Sequence, residues 1–130
     1  MMIHGRVVTP EGVYKEFDTP IINIDTEDGQ RGILPNHMPL VTMMTVGKME
    51  TEENGKRETY AIAGGLFYFR DNVAEILTDA IENVSEIDFD RAEQARDRAL
   101  KRIEANADNL DLRRAQIALE KALNRLSFKQ

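Results

Sequence analysis

The residues best able to do chemistry in this chain are cations in its last third. Arg91, Arg98, Arg102, Lys121 and Arg125 recur at helical spacings, and Arg98/Arg102 and Lys121/Arg125 are each four apart. Like charges at that spacing cost a helix roughly a few tenths of a kcal/mol per pair. Asp97 can relieve part of the strain by pairing with Lys101. Cations clustered at such a cost suggest an anionic partner, and the arginine fork suits phosphate or carboxylate. A solvated, salt-bridged helix face is the plainer reading of the same residues. A polyphosphate would fit a compact pocket with arginines from both helices, where Asp88 or Glu82 holds a polar edge of the ligand. An acidic protein segment would fit a longer, looser stripe. On the residues alone both partners stay open.

Other candidates carry less. His4 and His37 are the only histidines and lie too far apart in sequence to propose a metal site. His37 reads as a loop hydrogen-bonder. Asp25, Glu27 and Asp28 precede Gly29 and read as a charged strand end and turn. Gly64-Gly65 is followed by no Lys-Ser/Thr pair, so it is not a phosphate loop. Ser85 and Ser127 are remote from either histidine, and no catalytic set is readable.

The elements that must position these residues fall into two halves. Up to residue 84, β-branched and apolar residues alternate in short bursts: Ile3-Gly5-Val7, Ile22-Ile24, Val41-Met43, Tyr60-Ile62, Phe67-Phe69 and Val73-Ile76. Turn signals separate them at Pro10-Glu11-Gly12, Asp28-Gly29, Asn54-Gly55, Gly64-Gly65 and Asp71-Asn72. Asn54-Gly55 is the strongest hairpin signal, because a type I′ turn needs positive φ at both central residues. Many short strands with no helix between them predict an antiparallel β-sandwich or barrel.

From Asp88 the period becomes helical. Asp88 can cap the helix and Asp90 sits where the macrodipole favours a carboxylate. Ala92, Ala95, Ala99 and Ile103 recur at three and four, then Asn106-Ala107-Asp108-Asn109 breaks the pattern. Leu112, Ala115, Leu119, Ala122 and Leu126 form a second stripe. Two helices joined by a few residues predict an antiparallel hairpin bending between Ala107 and Asp108, with Arg91 level with Arg125 and Arg98 near Lys121. An alanine stripe lets the axes approach closely but buries roughly half the area that leucines would, at ~25 cal/mol per Å2. Such a hairpin is marginal alone and should be able to detach. The fold class expected is therefore α+β: a β domain over 1–84 and a helical hairpin over 85–130.

Charge divides at the same point. Residues 1–84 hold seven Lys and Arg against 14 Asp and Glu, and residues 85–130 hold ten against nine. The overall charge of −6 argues against a nucleic-acid partner. The absence of Cys removes disulfides, thiolate metal sites and cysteine nucleophiles, and fits a reducing cytoplasm. No apolar run approaches the ~20 residues of a membrane span, and Met1-Met2-Ile3-His4-Gly5-Arg6 lacks a signal-peptide pattern. A soluble, cytoplasmic chain without direct membrane insertion is expected.

One further segment cannot continue as helix or central strand: Gly32-Ile33-Leu34-Pro35-Asn36-His37-Met38-Pro39-Leu40 carries two prolines that lack the ladder donor. It must be a shaped loop feeding a strand. It resembles the Gly-x-Leu-Pro-x-His-x-Pro-Leu signature of the epsilon subunit of bacterial F-type ATP synthases. Ala63-Gly64-Gly65-Leu66 resembles that family's small-Gly-Gly-apolar turn, and Ile87-Asp88-Phe89-Asp90-Arg91-Ala92 its Ile/Leu-Asp-x-x-Arg-Ala motif. Ala122-Leu123-Asn124-Arg125-Leu126 looks like the ending of ATP-binding members.

The resemblance implies a non-catalytic rotor subunit whose β-sandwich sits on the γ subunit and touches the c ring. It implies a peripheral place on the cytoplasmic face of the cell membrane, coupling catalysis to ion translocation. The helical hairpin would have two positions: folded down, or extended so that its cations face an acidic segment of the β subunit and block ATP hydrolysis. No cofactor is required, and ATP enters as a regulatory ligand of the folded-down form. By that resemblance the ATP contacts would be Glu82, Asp88, Arg91, Ala92, Arg98 and Arg125, with Lys121 where related chains carry arginine. Gln30 and Arg31 would lie in a loop meeting the c ring, with His37 on the same lower edge. A free-standing cytoplasmic ATP sensor is the alternative from another class.

Overall fold

The computed structural model describes residues 1–105 and 109–130 of the chain. The chain divides into two compact units, Met1–Asn83 and Val84–Gln130. The first is built from eight strands: β1 (Ile3–Thr9), β2 (Gly12–Thr19), β3 (Ile22–Thr26), β4 (Gly29–Ile33), β5 (Leu40–Glu53), β6 (Lys56–Arg70), β7 (Val73–Leu77) and β8 (Ile81–Asn83). The order across the ladder is β2-β1-β7-β6-β5-β3-β4, with β8 also on β6. All pairings are antiparallel except β1 with β7.

The long β5–β6 hairpin makes this ladder into a sandwich. Residues 40–44 of β5 and 65–69 of β6 pair with each other and continue through β7, β1 and β2. Residues 46–53 and 56–63 form the other half, flanked by β3, β4 and β8. The two strands therefore belong to both layers and turn the corner at Gly64-Gly65. Gly65 has φ +124°, and a Cβ there would overlap the Leu77 carbonyl. Only glycine fits both demands. The Gly-Gly pair, expected as a turn between strands, is instead a bend inside one continuous strand.

The tight turns follow the expected chemistry. Asn54 and Gly55 have φ of 55° and 77°, and Asp71 and Asn72 have 52° and 62°, so both reversals use left-handed pairs. Inward residues of both layers form the core, with Phe67, Phe69, Ile22, Ile24, Ile76 and Met49 wholly enclosed.

The second unit opens on a single 3₁₀ turn, Val84–Glu86, and continues as α1 (Phe89–Glu104) and α2 (Asn109–Leu126). Asp88 caps α1, accepting the Arg91 amide at 3.1 Å. The expected bend between Ala107 and Asp108 lies outside the described residues. The helices pack against each other, and Lys129, just past α2, reaches Glu93 near the start of α1 at 3.0 Å. They are therefore antiparallel. Among the described residues the enclosed side chains of the two helices are alanines: Ala92 and Ala99 on α1, Ala115 and Ala122 on α2. Ile103, Leu112, Leu119 and Leu126 are only half-buried.

Candidate functional site

Opposed residues of adjacent strands share a face, so the register fixes what the sandwich presents outward. One row across the first layer reads Met43, Leu66, Leu77, Val8 and Val13, apolar from β5 to β2. The next row begins Val41 and Tyr68, then turns charged through Glu75, Arg6 and Glu16. Val41 is 58% exposed and Met43 51%. Val13, Tyr68, Val73 and Leu77 are also exposed. An outer face should alternate to polar, so a band of this width is an uncovered contact surface. It runs into a hollow of about 290 Å3 lined by Val8, Pro10, Gly65, Leu77 and Asp79.

The proline segment forms the loop between β4 and β5. The His37 amide donates to the Leu34 carbonyl at 3.1 Å, and its Nδ1 lies 2.7 Å from the Met38 carbonyl oxygen. Its ring stands edge-on to buried Phe69, with centroids 6.0 Å apart. Leu34 and Met38 project from this loop, 56% and 72% exposed.

Inside the mouth of the sandwich lies a polar cluster that sequence reasoning missed. Lys15 Nζ meets Glu53 Oε1 at 2.7 Å and Tyr60 OH at 2.9 Å. Tyr60 OH and Thr51 Oγ1 donate to Glu53 Oε2 at 2.7 and 2.6 Å. Burial pushes the Tyr60 phenol up to about 12, with the Glu53 carboxylate adding to the rise. Burial alone would raise Glu53, but its three donors outweigh that and hold it below its ordinary value. Burial alone would lower Lys15, yet its bonds to Glu53 and Tyr60 keep it raised. Every member is satisfied and inward-facing, so the cluster serves the fold. At the opposite end of β2, His4 is bracketed by Asp18 at 3.0 Å and Glu16 at 3.2 Å, and these hydrogen bonds raise its pKa.

In the helical unit, Arg91 and Arg98 are exposed on α1, and Lys121 and Arg125 are half-buried on α2. Among the described residues no ion pair holds Arg91, Arg98 or Lys121. Asp97 meets its neighbour Arg96 at 3.1 Å instead of the expected Lys101. Asp88 commits one carboxylate oxygen to capping α1. Ala92 is buried. Glu82 belongs to the other unit, on β8 opposite Ala61. Gln30 and Arg31, expected in a loop, are instead paired in β4 with Asp25 and Ile24. Thr26 Oγ1 donates to the Gly29 carbonyl at 2.7 Å across the turn that joins β3 to β4. Among the described residues no group of three acidic or histidine side chains could hold a metal ion. Nor is any helix long and apolar enough to cross a membrane.

Comparison with known proteins agrees with this division. Residues 2–84 match the family model described as ATP synthase, Delta/Epsilon chain, beta-sandwich domain. Residues 85–130 match that of the ATP synthase, Delta/Epsilon chain, long alpha-helix domain. The ATP synthase epsilon chain of Halalkalibacterium halodurans is 39% identical over 125 residues, covering 95% of this chain and 94% of that one. The epsilon chain of Caldicellulosiruptor bescii is 41% identical over 123 residues, covering 95% and 90%. A chain in the Euglena gracilis mitochondrial ATP synthase (OSCP/F1/c-ring) shares the fold with a TM-score of 0.81 at 24% identity, over 97% of this chain and 80% of that one. A chain in the Tetrahymena thermophila central stalk/c-ring structure gives a TM-score of 0.55 at 18% identity, over 66% and 69%. The β-sandwich with its apolar outer band, followed by an alanine-packed helical hairpin, belongs to the ATP synthase delta/epsilon chain family.

Proposed function

We propose that this chain is a non-catalytic subunit of the rotating central stalk of an F-type ATP synthase, and that its hairpin restrains ATP hydrolysis. The observation that carries the reading is the outward apolar row Met43, Leu66, Leu77, Val8 and Val13. A free-standing protein would hold that band in water at a cost of about 25 cal/mol per Å2; a stalk subunit covers it with the γ subunit. The proline loop and neighbouring β4, carrying His37, Gln30 and Arg31, then face the c ring. The complex holds the chain at the cytoplasmic face of the membrane without inserting it.

The hairpin supplies the regulation. Alanine-on-alanine packing buries little area, so a modest ligand can decide whether the helices stay folded or extend. Arg91, Arg98, Lys121 and Arg125 hold ATP in the folded form, with Asp88 and Ala92 completing the contacts within the hairpin. The same cations face an acidic segment of the β subunit in the extended form. ATP at a hundred times its dissociation constant favours the folded form by ~2.7 kcal/mol.

The test is assembly. Met43→Asp or Tyr68→Asp places a charge in the band and should abolish binding to an ATP synthase depleted of its own epsilon chain, while the chain stays folded. Undiminished binding of both variants would refute the docking face. A free-standing ATP sensor is the second reading, favoured by Arg91, Arg98 and Lys121, which no ion pair holds among the described residues. Stable co-purification with a γ subunit eliminates it.

A further inference from the structure

The proline loop is fixed from outside by a residue that none of its own sequence would suggest. Asn36, at the loop tip, and Asn72, in the β6–β7 turn, lie 36 positions apart and are joined by two hydrogen bonds. The Asn36 backbone N–H donates to Asn72 Oδ1 at 2.6 Å, and Asn72 Nδ2 donates to Asn36 Oδ1 at 3.1 Å. The two bonds run in opposite directions, as in one rung of an antiparallel ladder. Both residues adopt left-handed backbone, with φ of 69° and 62°. Asparagine is the residue that tolerates this conformation while offering a donor and an acceptor on a short stem.

Asn72 is itself held. Its carbonyl accepts the His4 amide of β1 at 2.9 Å. On the loop's other flank the Asn36 side chain touches Met1 Sδ at 3.2 Å, and His37 rests on buried Phe69. The loop tip is thus tied through Asn72 to β1 and through Phe69 to the core, while Leu34 and Met38 point into solvent. Hydrogen bonds this exposed contribute little to stability, because water replaces them readily. Their consequence is geometric: without them the loop keeps its prolines but loses its orientation on the sandwich end.

We propose that Asn72 is the positioning residue for the proline loop, setting the direction in which Leu34, His37 and Met38 are presented to the partner. This rests on the reading that this end of the sandwich meets the c ring. Loop residues make the contact; Asn72, outside the loop, makes it productive.

The test uses the full chain with Asn72→Gly, which keeps the left-handed turn and removes both side-chain bonds, and Asn72→Asp, which restores the acceptor for the Asn36 amide. Two quantities are read: the His37 ring-proton resonances, displaced by the Phe69 ring, and affinity for an ATP synthase depleted of its epsilon chain. Asn72→Gly should move the His37 resonances and weaken binding about two- to tenfold, the range for one or two hydrogen bonds, with the melting temperature nearly unchanged. Asn72→Asp should recover most of both. Unmoved His37 resonances in Asn72→Gly would overturn the clamp. Moved resonances with unchanged affinity would overturn its role in presentation. Met38→Ala separates the two levels: if it too leaves affinity unchanged, the c-ring reading of the loop has failed, whereas lost affinity there shows that only the assignment of Asn72 has.

Discussion

The Lys15 ammonium lies 2.7 Å from the Glu53 carboxylate, and the two come from different layers of the sandwich. Lys15 sits opposite Val7 on the inward face of β2, while Glu53 ends the β5 half that belongs to the other layer. Tyr60 completes the bridge at 2.9 and 2.7 Å. An inward charge near a sheet edge discourages edge pairing with other chains, and here it also fastens the mouth of the sandwich.

That bridge predicts a stability optimum. Glu53 is held below its ordinary 4.5, so its contribution is present above that value and lost as pH falls through the lower folded value. Tyr60 is raised, so its contribution is present below 10 and lost as pH climbs toward about 12, and Lys15, also raised, loses its contribution only in the same strongly alkaline direction. Urea melts across pH should show both limbs. Glu53→Gln should cost about 2 kcal/mol at neutral pH, by removing the countercharge of Lys15, and should flatten the acid limb. An unchanged acid limb would assign it to other carboxylates.

Gly65 makes a sharper prediction. Gly65→Ala places a methyl against the Leu77 carbonyl at φ +124°. It should destabilise the sandwich by at least about 2 kcal/mol, measured by denaturant midpoint, while Gly29→Ala, with open space around its Cβ, should cost less.

The hairpin should fail by overpacking. Ala99→Leu or Ala115→Leu adds bulk where the helices approach closest and should cost about 1–3 kcal/mol, seen as faster amide exchange along α1 and α2 with the sandwich unaffected. Protection unchanged in both variants would contradict close alanine packing.

Nucleotide binding should follow the arginines. In a calorimetric titration with ATP, Arg91→Ala and Arg125→Ala should each abolish binding, and Arg125→Lys should weaken it by losing the bidentate fork. Equal binding by wild type and both alanine variants would remove the cations from the ligand site.

Legibility in the sequence varied with how local the cause was. The Asn54-Gly55 reversal and the Asp88 cap depend on neighbours within four residues, and both formed where the local signals lay. Strand β2 was hidden because Lys15 occupies an inward position and spoils its alternation; only Tyr60 and Glu53, 45 and 38 residues away, make a lysine acceptable there. Gly64-Gly65 signalled broken regularity but not its form, since the need for glycine arises at Leu77. The helical stripes were readable, although the alanines are enclosed and the leucines half-exposed, because close axes leave larger side chains at the margin. The apolar band was invisible because it is a property of register across five strands. No single strand carries it.

The central claim is that the sandwich docks the chain to the rotor and the hairpin restrains hydrolysis. The most direct measurement is ATP hydrolysis by an epsilon-depleted ATP synthase, before and after adding either the full chain or residues 1–87. The account predicts that both bind, that the full chain lowers hydrolysis, and that the truncated chain leaves it high. Equal inhibition by both, or failure of the full chain to bind, would contradict it.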